Sequence, residues 1–145
     1  MDDRELSLRI LVVLSKAYKV ITDRAVKSMK KNGLSENEFI VLELLHHKGR
    51  CPLNQIGEKI LVTSGGITYT IDKLESKGCL KRVASPEDRR ITYAEITDEG
   101  TKLIEEIFPA HAEVIQSMMK DLTIEEKQMT ITLLKKLGFS AQASS

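Results

Sequence analysis

Tryptophan is absent, and three phenylalanines and three tyrosines are the whole aromatic complement of a 145-residue chain. So sparse a set gives no stacking platform for single-stranded nucleic acid. Two cysteines, Cys51 and Cys79, are too few for a disulfide framework and lack the clustering of a zinc site, so neither a metal nor another cofactor is expected. No apolar run approaches the roughly 18 residues of a membrane span. The charged start Met1-Asp2-Asp3-Arg4-Glu5 is unlike a secretory signal, and a cytoplasmic protein with no membrane partner is the expectation. Enzymatic chemistry finds no seat. His46, His47 and His111 are the only histidines, no serine or cysteine sits in a nucleophile motif, and no glycine-rich phosphate loop follows a strand.

What is present is a helical, single-domain pattern without internal repeats. Apolar residues make up 41% and charged residues 30%, which excludes a disordered or fibrous chain. Net charge is only +1, but its distribution is uneven. Residues 48–97 carry 9 Lys/Arg against 6 Asp/Glu, whereas residues 98–145 carry 5 against 8. A basic middle beside an acidic end suggests one face for an anionic partner and another for something else.

Leu11, Leu14, Tyr18, Ile21 and Ala25 form one stripe of a long first helix ending near Gly33. Ser35-Glu36-Asn37-Glu38 is a capping box that opens a second helix over about 35–47, with Leu34 and Phe39 as its hydrophobic staple. Gly49 stops it. Pro52 is expected as the first residue of a short third helix. A turn, Leu61-Val62-Thr63, leads to a fourth helix capped by Thr63, with Ile67, Ile71 and Leu74 inward and Gly78 at its end. Cys79–Val83 and Ile91–Ile96 read as strands around a polar turn at 85–90. Thr97 caps a long fifth helix. Thr123-Ile124-Glu125-Glu126 opens a sixth that should end at Gly138, before a frayed tail from Ser140 to Ser145.

Helix, short helix, tight turn, helix and hairpin, in that order, make a winged helix-turn-helix, so the expected fold is mainly α with a small β-hairpin wing. The steep crossing leaves the fourth helix projecting outward. Its expected outward residues are Ser64, Gly65, Gly66, Thr68, Tyr69, Thr70 and Lys73, small or hydrogen-bonding groups suited to the major groove. Two adjacent glycines cost about 2 kcal/mol of helix propensity, which close approach to DNA would explain. The hairpin tip carries Arg89 and Arg90, suited to the minor groove, and Asp88 is placed to orient one guanidinium.

The run from Asp88-Arg89-Arg90 to Ile96-Thr97 resembles the wing motif of the MarR family: Asp-x-Arg, five residues, then Leu or Ile and Thr. Ile71-Asp72-Lys73-Leu74-Glu75-Ser76-Lys77-Gly78 is similar to the end of that family's recognition helix, and Thr97-Asp98-Glu99-Gly100 to the start of its fifth helix. The stretch Asn37 to Leu45, followed by His-Lys-Gly, resembles the MhqR-like branch, which responds to quinones and catechols. The resemblance implies a homodimeric winged-helix repressor of a stress response. Such a protein binds a pseudo-palindromic operator in double-stranded DNA and answers a small aromatic effector. It implies a DNA-binding lobe at 35–97 flanked by dimerisation helices at 1–32 and 98–139. Apolar faces on the fifth and sixth helices independently ask for a second copy to cover them.

For the effector, Phe39, Leu42, Glu43 and His46 share one arc of the second helix. Ile104, Phe108, His111, Ile115 and Met118 share one arc of the fifth. Glu43 and His111 thus interrupt apolar stripes and, with Leu11, Leu14 and Tyr18, could line a cavity for a phenol or quinone. Alternatively the two pair with each other or face solvent. A second alternative is a thiol sensor. Cys51 precedes an expected helix N-terminus, which would lower its pKa, and Cys79 opens the wing as a small buried hydrophobe.

Overall fold

The structure is a computed structural model that describes residues 1–60 and 64–144, side chains of Ile60, Ser64 and Gly65 excepted. The turn Leu61-Val62-Thr63, and with it the expected Thr63 cap, lies outside the described residues, as does Ser145. Six helices and three strands follow one another as α1 (Asp3–Lys30), α2 (Glu36–Lys48), β1 (Cys51–Pro52), α3 (Leu53–Ile60), α4 (Ser64–Ser76), β2 (Leu80–Ala84), β3 (Thr92–Ile96), α5 (Asp98–Met118) and α6 (Ile124–Ala143). This is the mainly helical winged arrangement that the pattern of elements implies.

Local chemistry sets most boundaries. The Ser35 hydroxyl accepts from the Glu38 amide at 3.1 Å, and Glu38 reaches back to the Ser35 N–H. The staple residues Leu34 and Phe39 are both buried. Thr123 and Glu126 repeat the box at α6. Gly49 ends α2 and Gly78 follows α4, both in the left-handed region at φ 77°, where a side chain would be strained.

Two boundaries differ from the sequence pattern. Pro52 does not open α3; it lies in β1, where Cys51 and Pro52 oppose Ala94 and Tyr93 of β3. The sheet order is β1-β3-β2, so Pro52 sits on an edge strand, where its missing N–H is tolerated. The sixth helix also does not stop at Gly138. The positive-φ glycines are Gly33, Gly49 and Gly78, so Gly138 makes no left-handed cap, and α6 runs on through residues 140–143 that the sequence pattern leaves as a frayed tail.

The core lies where α2, α3, α4, α5 and the sheet converge, with Phe39, Leu42, Leu45, Ile56, Ile71, Leu74, Leu80 and Ile104 almost wholly buried. Lys77, just past α4, pairs with the buried Glu38 and donates to the Gly33 carbonyl at 3.3 Å, which ties the end of α4 to the start of α2. At the other end of the hairpin, Thr97 caps α5 through Gly100 and donates its hydroxyl to the Gly78 carbonyl at 2.6 Å. The wing and α5 therefore share one joint. Beyond it, α6 contributes no buried residue, and α1 buries only Met29.

Candidate nucleic-acid interface and effector site

On α4 the inward stripe is Ile67, Thr70, Ile71 and Leu74, all buried. Thr70 corrects its expected outward place. Spacing of three, one and three puts residues 67, 70, 71 and 74 on one arc, and the Thr70 hydroxyl is satisfied by the Gly66 carbonyl at 2.7 Å. The opposite arc carries Thr68, Tyr69 and Lys73, all exposed. The Lys73 ammonium lies 5.6 Å from the Tyr69 ring centroid, a cation–π distance that holds the two side chains together. Ser64, Gly65 and Gly66 form the helix's first turn.

The wing tip is organised around two side chains. The buried Ser85 hydroxyl accepts from the Glu87 and Asp88 amides at 3.3 and 3.2 Å. Asp88 then receives Arg90 three times: from the backbone N–H at 3.0 Å, from Nε at 3.1 Å and from Nη2 at 3.2 Å. Those bonds hold the Asp88 carboxyl below its ordinary value, the Arg90 side chain being the main cause. Arg90 nonetheless keeps 90% of its side chain exposed, and Arg89 is exposed beside it. A fork held in this way is aimed before any partner arrives.

The expected effector residues fall into two groups. Phe39 and Leu42 belong to the buried core of α2. Against them α5 presents His111, whose ring centroid is 4.4 Å from that of Phe39, with Phe108 next along the helix. Pro109, between Phe108 and His111, cannot donate to the Glu105 carbonyl and opens the helical ladder at this point. His46 Nε2 lies 3.3 Å from a Glu105 carboxylate oxygen, and His47 Nε2 lies 3.9 Å from Glu43. Nδ1 of His111 is buried with no hydrogen-bond partner among the described residues. Burial lowers the pKa of His111, with the nearby Glu43 charge opposing.

Leu14 and Tyr18 lie elsewhere. They line a groove of about 700 Å³ with Ile21, Met118, Leu134 and Leu137, between α1 and the α5–α6 end, and Leu11 is exposed on the same helix. The structure thus does not bring Leu11, Leu14 and Tyr18 into one cavity with Phe39, Leu42, Glu43, His46 and His111 within a single chain. Cys51 and Cys79 are both buried. Burial also raises the Cys79 thiol, more than the nearby Lys77 lowers it. Among the described residues no helix is long and apolar enough to cross a membrane.

One polar group escaped the sequence reading altogether. Arg82 on β2 reaches α4, where it pairs with Asp72 at 2.6 Å and with Glu75. Asp72 and Glu75 are three apart on one helical face, but nothing local marks the arginine that joins them.

A recognition helix beside a wing, on a helical scaffold, defines a winged helix-turn-helix DNA-binding protein. The MarR family profile matches residues 34–92. The chain is 51% identical to the HTH-type transcriptional regulator MhqR of Bacillus subtilis strain 168 over 95% of both chains. It belongs to the MarR family, whose members bind operator DNA as dimers, and is a transcriptional regulator close to the MhqR branch. Two solved structures share the fold. One is a mutant MarR from E. coli complexed with operator DNA, with a TM-score of 0.81 at 20% identity, covering 94% of this chain and 99% of that one. The other is BpsR of Bordetella bronchiseptica, whose DNA binding is regulated by 6-hydroxynicotinic acid, with a TM-score of 0.80 at 24% identity, covering 89% and 92%.

Proposed function

We propose that the protein is a homodimeric repressor that binds a pseudo-palindromic operator and releases it when a small phenolic or quinone ligand binds. Residues 35–97 act as the DNA-binding lobe, and 1–32 with 98–139 as the dimerisation helices. The observation that carries the DNA reading is the wing, where Asp88 aims an arginine that is still 90% exposed. In this reading the α4 helices of two subunits enter major grooves about 10 base pairs apart, and Arg89 and Arg90 reach the flanking minor grooves. Thr68 and Tyr69 touch bases, Lys73 meets phosphate, and Thr63, Ser64, Gly65, Gly66 and Asp88 belong to the same DNA-binding set.

Dimerisation is supported by the apolar surface that one chain leaves uncovered. Leu11, Tyr18, Leu133 and Phe139 are exposed along α1 and α6, far more than a monomer usually shows in one region. A second copy over the groove beside Leu14 and Tyr18 buries it.

The effector reading rests on the α2–α5 seam. Phe108 stands half-buried beside His111, and the buried His111 Nδ1 has unspent hydrogen-bonding capacity, which suits the hydroxyl of an aromatic ligand. BpsR is regulated by such a hydroxylated aromatic. Thiol sensing by Cys51 or Cys79 is the weaker alternative, because both thiols are buried.

The test is a selection from a random duplex pool, followed by titration of the selected duplex with and without catechol, 4-hydroxyphenylacetate and benzoquinone. A palindromic motif with two half-sites about one helical turn apart, and its release by a member of the panel, is the expected result. Failure to select any motif overturns the DNA reading; a motif indifferent to the whole panel overturns the effector reading.

A further inference from the structure

Arg82 sits midway along β2, opposite Ala94 of β3, and its side chain crosses to α4. Nη2 faces Asp72 Oδ1 at 2.6 Å, Nη1 faces Glu75 Oε1, and the Arg82 backbone N–H adds a bond to Glu75 Oε2 at 3.4 Å. Both ends of the guanidinium are thus taken up by carboxylates. The triad carries a net negative charge, so it is ill suited to grip a phosphate.

We infer that Arg82 is a positioning residue for DNA recognition, one that fixes the angle between the recognition helix α4 and the wing. The inference rests on the interface reading above and adds a residue which that reading does not use. Covalently, α4 and β2 are joined only by the turn Lys77-Gly78-Cys79, which contains a positive-φ glycine. The Arg82 pairs brace that turn from the side.

The lever is long. With two strand residues at about 3.3 Å each and the turn beyond them, the wing tip stands on the order of 15 Å from Arg82. A tilt of about 5° there displaces Arg90 by about 1–2 Å, enough to break a hydrogen bond. Partly exposed ion pairs add little to folding stability. The value of this one is geometric: it makes the major-groove and minor-groove contacts available to the same site at once.

Two variants of opposite charge test the role. Arg82→Met removes the cation; the double variant Asp72→Asn/Glu75→Gln removes both carboxylates. Affinity is measured for the duplex selected by the wild-type protein and for a scrambled duplex of the same composition, with thermal unfolding recorded alongside. Simple electrostatics predicts opposite effects, because the first variant is less basic and the second more so.

Positioning predicts the same effect in both: the selected-to-scrambled affinity ratio falls about tenfold, while the unfolding midpoint stays near wild type. For the carboxylate double variant, scrambled-duplex binding is expected to rise even as the ratio falls. An unchanged ratio in either variant overturns the proposal. So does a loss in Arg82→Met that is equal on both duplexes, which is the mark of a phosphate contact. If the wild-type protein selects no motif, the interface reading itself falls, and this inference with it.

Discussion

Gly100, in the first turn of α5, lies directly against the Cys79 backbone: a Cβ added to it would fall 2.1 Å from the Cys79 carbonyl oxygen and 2.8 Å from Ile96 Cγ1. The contact is steric rather than conformational, since Gly100 is not among the positive-φ glycines. It is what lets α5 dock on the root of the wing, where Thr97 N–H also donates to the same carbonyl at 3.0 Å. Gly100→Ala should therefore cost about 1–3 kcal/mol of stability, by overpacking against backbone that cannot swing away. Urea unfolding checks it; a midpoint equal to wild type would mean that the joint yields.

The residues proposed to face DNA should separate by role. Arg90→Ala is expected to weaken binding to the selected duplex by about 1–3 kcal/mol, through loss of a charge-assisted groove contact. Thr68→Ala and Tyr69→Ala should change the selected motif, whereas loss of Lys73 should weaken all duplexes alike and flatten the salt dependence. Gel-shift titration and repeated selection read these outcomes. An Arg90→Ala protein that binds as tightly as wild type would remove the wing from the interface, and an unchanged motif in both α4 variants would remove base reading from Thr68 and Tyr69.

Much of this architecture was legible because its causes are local. Ser35 with Glu38, Thr123 with Glu126, and Asp88 with Arg90 are pairs two or three residues apart, and each forms the bond that its spacing allows. Where the cause is distant, the pattern misleads or is silent. Pro52 suits a helix start equally well until β3, some forty residues on, pairs with it. Arg82 reads as one more strand residue until α4 is laid against it. Thr70 falls on the buried arc by periodicity, but its hydroxyl suggests solvent until the Gly66 carbonyl satisfies it. Leu14 and Tyr18 lie on an apolar stripe, yet a stripe does not say which neighbour covers it. The proposed effector site is the least legible part, since a stripe on α2 or α5 does not say how the two helices meet.

The half-buried imidazole of His111 should make stability depend on pH. Burial lowers the His111 pKa from its ordinary 6.5, with Glu43 partly opposing. The folded chain therefore resists a proton that the unfolded chain accepts. The sign follows: stability is fully present above about pH 6.5 and falls as pH drops from there toward the depressed folded value. His111→Leu keeps the packing against Phe39 and removes the titration. Its thermal midpoint should fall less than that of wild type between about pH 7.5 and about pH 5.5. Equal losses in the two proteins would show that His111 titrates as it does in the unfolded chain.

The proposed derepression separates two chemistries by which an aromatic molecule would be coupled to DNA release. A reversible ligand at the proposed site would need a polar hook on the α2–α5 seam, and His111 is the candidate, with Nδ1 buried and unpartnered among the described residues. A thiol adduct needs a reachable thiolate, whereas Cys79 is buried and its thiol is pushed up by that burial, and Cys51 is buried on β1. To release the operator by two decades, the ligand must favour the non-binding spacing of the α4 helices by about 3 kcal/mol. Such a preference is within reach of one well-placed hydrogen bond and the burial of one ring. His111→Ala is therefore expected to keep its affinity for the selected duplex and lose the response to catechol or 4-hydroxyphenylacetate. Cys51→Ser and Cys79→Ser should keep both. Fluorescence anisotropy with each compound reads all three variants. A response that survives His111→Ala and vanishes in either cysteine variant would transfer the sensing step to that thiol, and would require the wing root or the β1 edge to open before reaction.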